Sequence, residues 1–265
     1  IGFCPMSDHA ETPAPDWYER AFEIDYLKVY KHRNDEEARR QISFTEKVLQ
    51  IQAPLAVFDL GCGDGRHAAE WAKRGYQVTG LDLSGDLLAR ARDRAAEGKL
   101  DITFIQGDMR EIPYAGMFDL LVNYFTSFGY FRDDVENKRV LQAIARALKP
   151  GGMFLMDYLN REHVIQSLVP EDTREIEGGD LKQNRWISGD PTVQGAHVRI
   201  NKQVTMTQQG RSRVYEESVR MYTCDEMLSM IEGAGLKVTQ TFGEFDGSEY
   251  GMTSPRLILV GEKQA

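Results

Sequence analysis

Apolar residues follow two rhythms along this chain, and the changes of rhythm divide it into four zones. From Asp16 to about Gln50 the spacing is helical. Trp17, Tyr18, Phe22, Tyr26 and Tyr30 recur on one face, and Ala38, Ile42, Val48 and Leu49 do so again after His32-Arg33-Asn34-Asp35. Two helices are predicted there. From about 54 to 160 short apolar runs alternate with helical patterns. Segments 55–60, 77–83, 102–106, 120–125 and 153–158 read as strands. Residues 66–74, the segment that Ser84 caps and Gly98 ends, and the stretch opened by Asp133 with Glu136 and stopped by Pro150-Gly151-Gly152 read as helices. Alternation at this spacing implies a parallel sheet covered on both faces.

The third zone, about 161–220, breaks that rhythm. Val198, Ile200, Val204 and Met206 alternate at period two, Gln208-Gln209-Gly210 makes a turn, and 214–221 resumes in extended form. An antiparallel hairpin is predicted in place of a crossover helix. In the fourth zone Thr223 and Glu226 form a capping box, and Met227, Leu228 and Ile231 give the helix its apolar face. Gly235 ends that helix, and 236–242 with 256–262 read as closing strands antiparallel to each other. The expected fold class is α/β, a doubly wound and mostly parallel sheet. Zone three is expected to lie over the carboxyl ends of its strands, where open α/β sheets bind ligands.

Composition narrows the function. The chain has 265 residues, 42% hydrophobic and 28% charged, in keeping with a soluble globular protein. No segment reaches the ~18 uninterrupted apolar residues of a membrane span. A net charge of −9 argues against a broad grip on nucleic acid or anionic lipid, so neither partner is expected. Cys4, Cys62 and Cys224 are too few for a disulfide framework and suit a reducing, cytoplasmic setting. His9, His32, His67, His163 and His197 are too scattered for a metal site, and none is expected. Met6-Ser7-Asp8 reads as a start, so residues 1–5 receive no role.

The informative segment is Asp59-Leu60-Gly61-Cys62-Gly63-Asp64-Gly65-Arg66, between a predicted strand and a predicted helix. Glycines at that place let the backbone pass close beneath a ligand facing the helix N–H groups. A dinucleotide loop would read G-x-G-x-x-G, but here Arg66 takes the third glycine's place and Asp59 and Asp64 add negative charge. The loop suits a ligand without phosphates and with positive charge, and S-adenosylmethionine (SAM) is one. Its ribose diol needs an acceptor at the end of the second strand, where Asp82 stands beside Leu83. Its adenine needs a polar group and a flat neighbour after the third strand, where Asp108 and Met109 stand.

With these motifs and Leu148-Lys149-Pro150-Gly151-Gly152, the sequence resembles the class I SAM-dependent methyltransferases, well over 55–160 and loosely over 222–262. The resemblance implies a seven-stranded sheet whose last strand is antiparallel. It implies cofactor roles for Asp59, Gly61, Cys62, Gly63, Asp82, Leu83, Asp108, Met109 and Asn123. The start from Trp17 to Arg33 and the run Asn123–Phe131 resemble bacterial small-molecule members, in which N-terminal helices cover the cofactor and an inserted β-layer roofs the substrate. Carried onto this chain, 1–265 is one catalytic domain. Within it 16–50 is a helical lid, 51–160 with 221–265 is the SAM-binding core, and 161–220 is the antiparallel insertion.

Methyl transfer asks the protein to align the nucleophile with the methyl and to exclude water. Phe125, Phe128, Tyr130 and Phe131 are candidate substrate walls beyond the fourth strand, and Arg220 and Arg256 are candidate contacts to an anionic substrate group. His32 or Tyr130 is the candidate base. Tyr30 and Arg33 are candidates for the cofactor, Arg33 through its carboxylate. Asn123-Tyr124-Phe125 lacks the prolines of the motif that clasps a planar amide or a base amine. The expected activity is therefore transfer from SAM, leaving S-adenosylhomocysteine, to an N or O atom of a small molecule. RNA or protein methylation and SAM binding without catalysis remain as alternatives, a nicotinamide dehydrogenase is disfavoured, and a homodimer is left open.

Overall fold

A computed structural model describes residues 13–22, 29, 34–176 and 178–264. The chain opens with a short helix α1 (Tyr18–Ala21) and continues into α2 (Asp35–Leu49), capped by the Asn34 side chain. Strands β1 (Ala56–Leu60), β2 (Gln77–Asp82), β3 (Ile102–Gln106) and β4 (Phe118–Asn123) follow, with α3 (Arg66–Lys73) and α4 (Gly85–Gly98) between the first three. Helix α5 (Asp134–Ala147), strand β5 (Leu148–Leu159) and helix α6 (Arg161–Ser167) complete this half.

Strands β1 to β5 pair in parallel, as the alternation predicts, because βαβ connections return each strand in the same direction. Helix α5 stops at Ala147, three residues before Pro150. The strand begins at Leu148, and Pro150-Gly151-Gly152 lies inside it, where the β4–β5 register shifts between Phe118 and Leu120. The fourth strand also ends two residues early, since Phe125 and Thr126 both have positive φ, 58° and 59°, and leave the extended conformation.

The predicted hairpin of zone three is half of a larger element. Strands β6 (Glu171–Ile176), β7 (Gly179–Ser188), β8 (Arg199–Gln208) and β9 (Arg211–Arg220) form a separate four-stranded antiparallel sheet. Helix α7 (Cys224–Gly233), with both halves of its Thr223–Glu226 capping box formed, leads to β10 (Leu236–Phe242) and β11 (Arg256–Lys263). The main sheet has the order β10-β11-β5-β4-β1-β2-β3, with β11 antiparallel to both neighbours. Its two faces are covered separately. Phe58, Leu121, Leu141 and Ile144 belong to the core on one side, Val57, Trp71, Leu120 and Ile258 to that on the other. Among the described residues no helix is long and apolar enough to cross a membrane.

Candidate active site

Carboxyl ends of β1, β2 and β3 converge on one cleft. It encloses about 630 Å³ and is lined by Gly61, Gly63, Asp82, Leu83, Asp108, Met109 and Tyr130, seven residues singled out from the sequence. The loop after β1 turns sharply, with φ of +72° at Gly61, +54° at Gly63 and +75° at Gly65. At Gly61 an added Cβ would stand 3.0 Å from Ser127 Cβ, so the site needs its glycine for space as well as for backbone angle.

Asp82 fastens this loop to the second strand. Its Oδ2 accepts from the Gly63 amide at 2.8 Å and its Oδ1 from the Ser84 amide at 2.9 Å. Burial pushes its pKa up, and the hydrogen bonds from Ser84 and Gly63 work against that rise. Ser84 in turn donates its hydroxyl to the Phe22 carbonyl at 2.6 Å, which ties the N-terminal cover to the rim.

Asp108 experiences the opposite balance. Burial raises its pKa, but the Arg110 guanidinium, at 3.0 Å from both carboxylate oxygens, outweighs burial and leaves it lowered. Arg110 also contacts Glu136 at 2.5 Å and lies 4.2 Å over the Phe131 ring. The carboxylate is thereby held charged as an acceptor.

Beneath the cleft floor lie Asp59 and Asn123, both buried. Asp59 Oδ2 and Asn123 Oδ1 have no hydrogen-bond partner, although Asn123 Nδ2 donates to the Leu60 carbonyl at 2.8 Å. Burial first, and then the nearby Asp82 charge, push Asp59 up to about 7. Buried acceptors without donors are costly, and a cationic ligand is the kind of group that compensates them. The carboxylates of Asp59 and Asp82 beside the loop disfavour a diphosphate.

Aromatic residues from the chain start close the cleft from outside. Tyr18 and Phe22 line it, a contribution read from the sequence only as a helical stripe. Tyr130 sits between Trp17, at 5.0 Å, and Phe22, at 5.6 Å, while Tyr18 packs edge-on to Phe131 at 5.2 Å. Ser127, Leu81, Leu87 and Gly107 also line the cleft. Apart from Gly107, which directly precedes Asp108, these small and aliphatic side chains carry no chemical signature in the sequence.

Several expectations fail on placement. Phe128 is 1% exposed and packs between Tyr158 and Tyr222 in the core, so it walls no substrate space. Phe125 is turned by its positive φ onto His67 and the Arg66 guanidinium, 4.4 Å from its ring, and does not line the cleft. Arg220 is 2% exposed, lies 3.4 Å from Asp134 and 3.5 Å from Glu226, and does not line the cleft. Cys62 is buried against Gly80, where a Cβ would meet its sulfur at 2.8 Å; its side chain packs the loop and does not line the cleft. Tyr30, His32 and Arg33 lie outside the described residues.

One functional placement had no sequence signal. Arg199 of β8 is buried, and burial pulls its pKa down to about 10. Its guanidinium donates to the carbonyls of Gly129 (3.3 Å), Tyr130 (2.9 Å), Phe131 (3.0 Å) and Ser218 (2.7 Å). The second sheet thus holds the loop that brings Tyr130 and Phe131 to the cleft.

A Rossmann-like sheet with a glycine turn, a carboxylate after β2 and an aromatic cover defines a nucleoside-cofactor enzyme of the class I methyltransferase fold. Known proteins agree. The methyltransferase-domain family profile matches residues 57–152. A putative methyltransferase of Geobacillus sp. (strain WCH70) is 26% identical over 240 residues, 83% of this chain and 91% of the relative. The cypemycin N-terminal methyltransferase of a Streptomyces species is 27% identical over 219 residues, 78% and 83% of the two chains. The SAM-bound structure of CalS10, an amino pentose methyltransferase from Micromonospora echinaspora, superposes with a TM-score of 0.65 at 22% identity, covering 97% of this chain and 100% of that one. The chain is an S-adenosylmethionine-dependent methyltransferase.

Proposed function

We infer that this enzyme transfers a methyl group from SAM to an N or O atom of a small molecule. The observation that carries this reading is the adjacency of two cavities. Ser127 lines the cofactor cleft, and its neighbour Thr126 accepts a 2.9 Å hydrogen bond from Arg256, which lines a second chamber of about 1100 Å³. That chamber lies against one face of the four-stranded sheet, with Val29, Val164 and Val219 also in its wall. A recessed chamber beside the cleft, walled by one face of a sheet, suits a compact acceptor better than a folded RNA or protein surface, and the −9 charge points the same way. The names of two similar proteins, a cypemycin N-terminal methyltransferase and an amino pentose methyltransferase of calicheamicin biosynthesis, fit this range of acceptors.

In this reading Asp82 would hold the ribose diol, Asp108 the adenine edge, and Asp59 with Asn123 the cationic end of the cofactor. Bound SAM supplies a methyl group already activated by its sulfonium. Residues of the chain align and seal. Tyr18, Phe22, Tyr130 and Phe131 exclude water from the cleft, and Tyr130, which lines it, is the candidate base for an acceptor that arrives protonated. The segment around 16–50 then acts as a lid, and 161–220 as the acceptor wall.

Incubation with methyl-labelled SAM and a metabolite extract, in parallel with bulk RNA and bulk protein, tests this. Label in small molecules alone is expected. Label in either polymer, or tight S-adenosylhomocysteine binding without turnover in any pool, would replace this reading by the corresponding alternative.

A further inference from the structure

The chamber wall has an arrangement of charge that the fold does not need. Strands β6 to β9 turn one face toward it, carrying Asp172, Arg174, Arg185, Lys202 and Glu217. Arg185 and Lys202 are direct cross-strand partners, two cations facing each other at the middle of the sheet. Like charges in that relationship repel and destabilise the pairing. Their acids stand on the outer strands: Asp172 contacts Arg185, and Glu217 lies 3.6 Å from Lys202. The cations therefore meet at the centre and the anions are drawn to the flanks.

Two more cations face the same space. Among the described residues Arg174 has only a backbone partner, the Val29 carbonyl, and no carboxylate within ion-pair distance. Arg256 uses Nε on Asp157 at 2.6 Å and Nη2 on Thr126, which leaves Nη1 without a partner among the described residues. Four cationic side chains thus line the chamber with two acidic ones, in a protein whose net charge is −9.

We propose that the chamber binds an oxyanion of the methyl acceptor, a phosphate or carboxylate group, between Arg174, Arg185, Lys202 and Arg256. Guanidinium forks match the spacing of two oxygens on either group, and an anion placed between Arg185 and Lys202 removes their repulsion. Arg256 fixes the direction of the acceptor: with the anion held in the chamber, the nucleophilic end reaches past Thr126 toward the cleft. The location of the acceptor rests on the methyltransferase reading above; the anion site itself does not.

Calorimetric titration of the S-adenosylhomocysteine-saturated enzyme with sodium pyrophosphate and with sodium succinate, against sodium chloride at equal ionic strength, tests the site. Saturable binding of at least one is expected, and the tighter probe tells phosphate-bearing from carboxylate-bearing acceptors. Lys202→Gln and Arg174→Gln should each weaken it about tenfold or more while S-adenosylhomocysteine affinity stays unchanged. Arg174 lies on an exposed edge strand, so its variant carries the test if Lys202→Gln does not fold. No heat beyond chloride for either probe, or unchanged affinity in the folded variants, overturns the proposal. The titrations are repeated without S-adenosylhomocysteine. Failure of that cofactor product to bind would count against the cofactor site, and the anion result would stand by itself.

Discussion

The Gly63 amide donates to Asp82 Oδ2 at 2.8 Å, so the residue suited to hold a ribose is also the residue that shapes the loop beneath it. Replacing Asp82 by Ala removes a charged acceptor and releases the glycine turn together. Affinity for S-adenosylhomocysteine should fall by at least about 1 kcal/mol. Calorimetry that returned wild-type affinity would remove Asp82 from the cofactor site.

Gly61 and Gly63 should respond differently to alanine. Both sit at positive φ, but a Cβ on Gly61 meets Ser127 at 3.0 Å, whereas one on Gly63 meets nothing within 4 Å. Gly61→Ala should lower the melting temperature of the ligand-free enzyme more than Gly63→Ala does. Gly63→Ala should act mainly on cofactor affinity, since its methyl enters open space beside the cleft. Equal melting temperatures with equal affinities would show that neither glycine is needed for space.

Asp59 gives the enzyme a pH dependence of known sign. Its folded pKa, about 7, lies above the ordinary 3.8, so its protonated form contributes stability that is complete below 3.8 and lost as pH rises through about 7. The ligand-free protein should therefore lose part of its stability between about pH 4 and 7, and Asp59→Asn should flatten that slope. A cationic cofactor favours the ionised carboxylate, so SAM affinity should rise from about pH 6 to 7.5, with proton release, and the Asn variant should lack both effects. Melting curves and calorimetry in buffers of different ionisation enthalpy read the two halves separately.

Arg199→Met should cost about 2–4 kcal/mol, because four carbonyl oxygens lose a buried donor. Release of the 129–131 loop should also weaken S-adenosylhomocysteine binding, although Arg199 itself does not line the cleft. A destabilised variant that bound the product normally would show that the second sheet supports the fold but not the site.

What the sequence discloses depends on how locally each feature is encoded. The five parallel strands, the Ser84 and Thr223 caps and the antiparallel ending were legible because each depends on residues within a few positions of one another. Asp82 and Asp108 were legible because strand ends in this kind of sheet share one edge. The hairpin of β6 and β7 is hidden in the sequence because EDTREI and GDLKQNRWIS are rich in charge, part of which (Asp172, Arg174 and Arg185) faces a chamber. Phe125 and Phe128 were placed by residue type alone, while a two-residue excursion to positive φ and the packing of Tyr158 and Tyr222 decided where the rings went. Arg199 was invisible for a related reason. Apart from the Ser218 hydroxyl, its partners are main-chain oxygens as far as 70 positions away, and those leave no trace in residue identity.

The placement of β11 governs how the protein can be assembled. Of the seven strands in the main sheet it is made last, yet it enters between β5 and β10 and carries Arg256 to Asp157 and Thr126. A nascent chain that had not yet reached position 256 would present the edge of β5, with Phe154, Leu155 and Met156 along it, as a sticky and unpaired border. Such an intermediate needs shielding until synthesis passes that point, because only β11 covers that border.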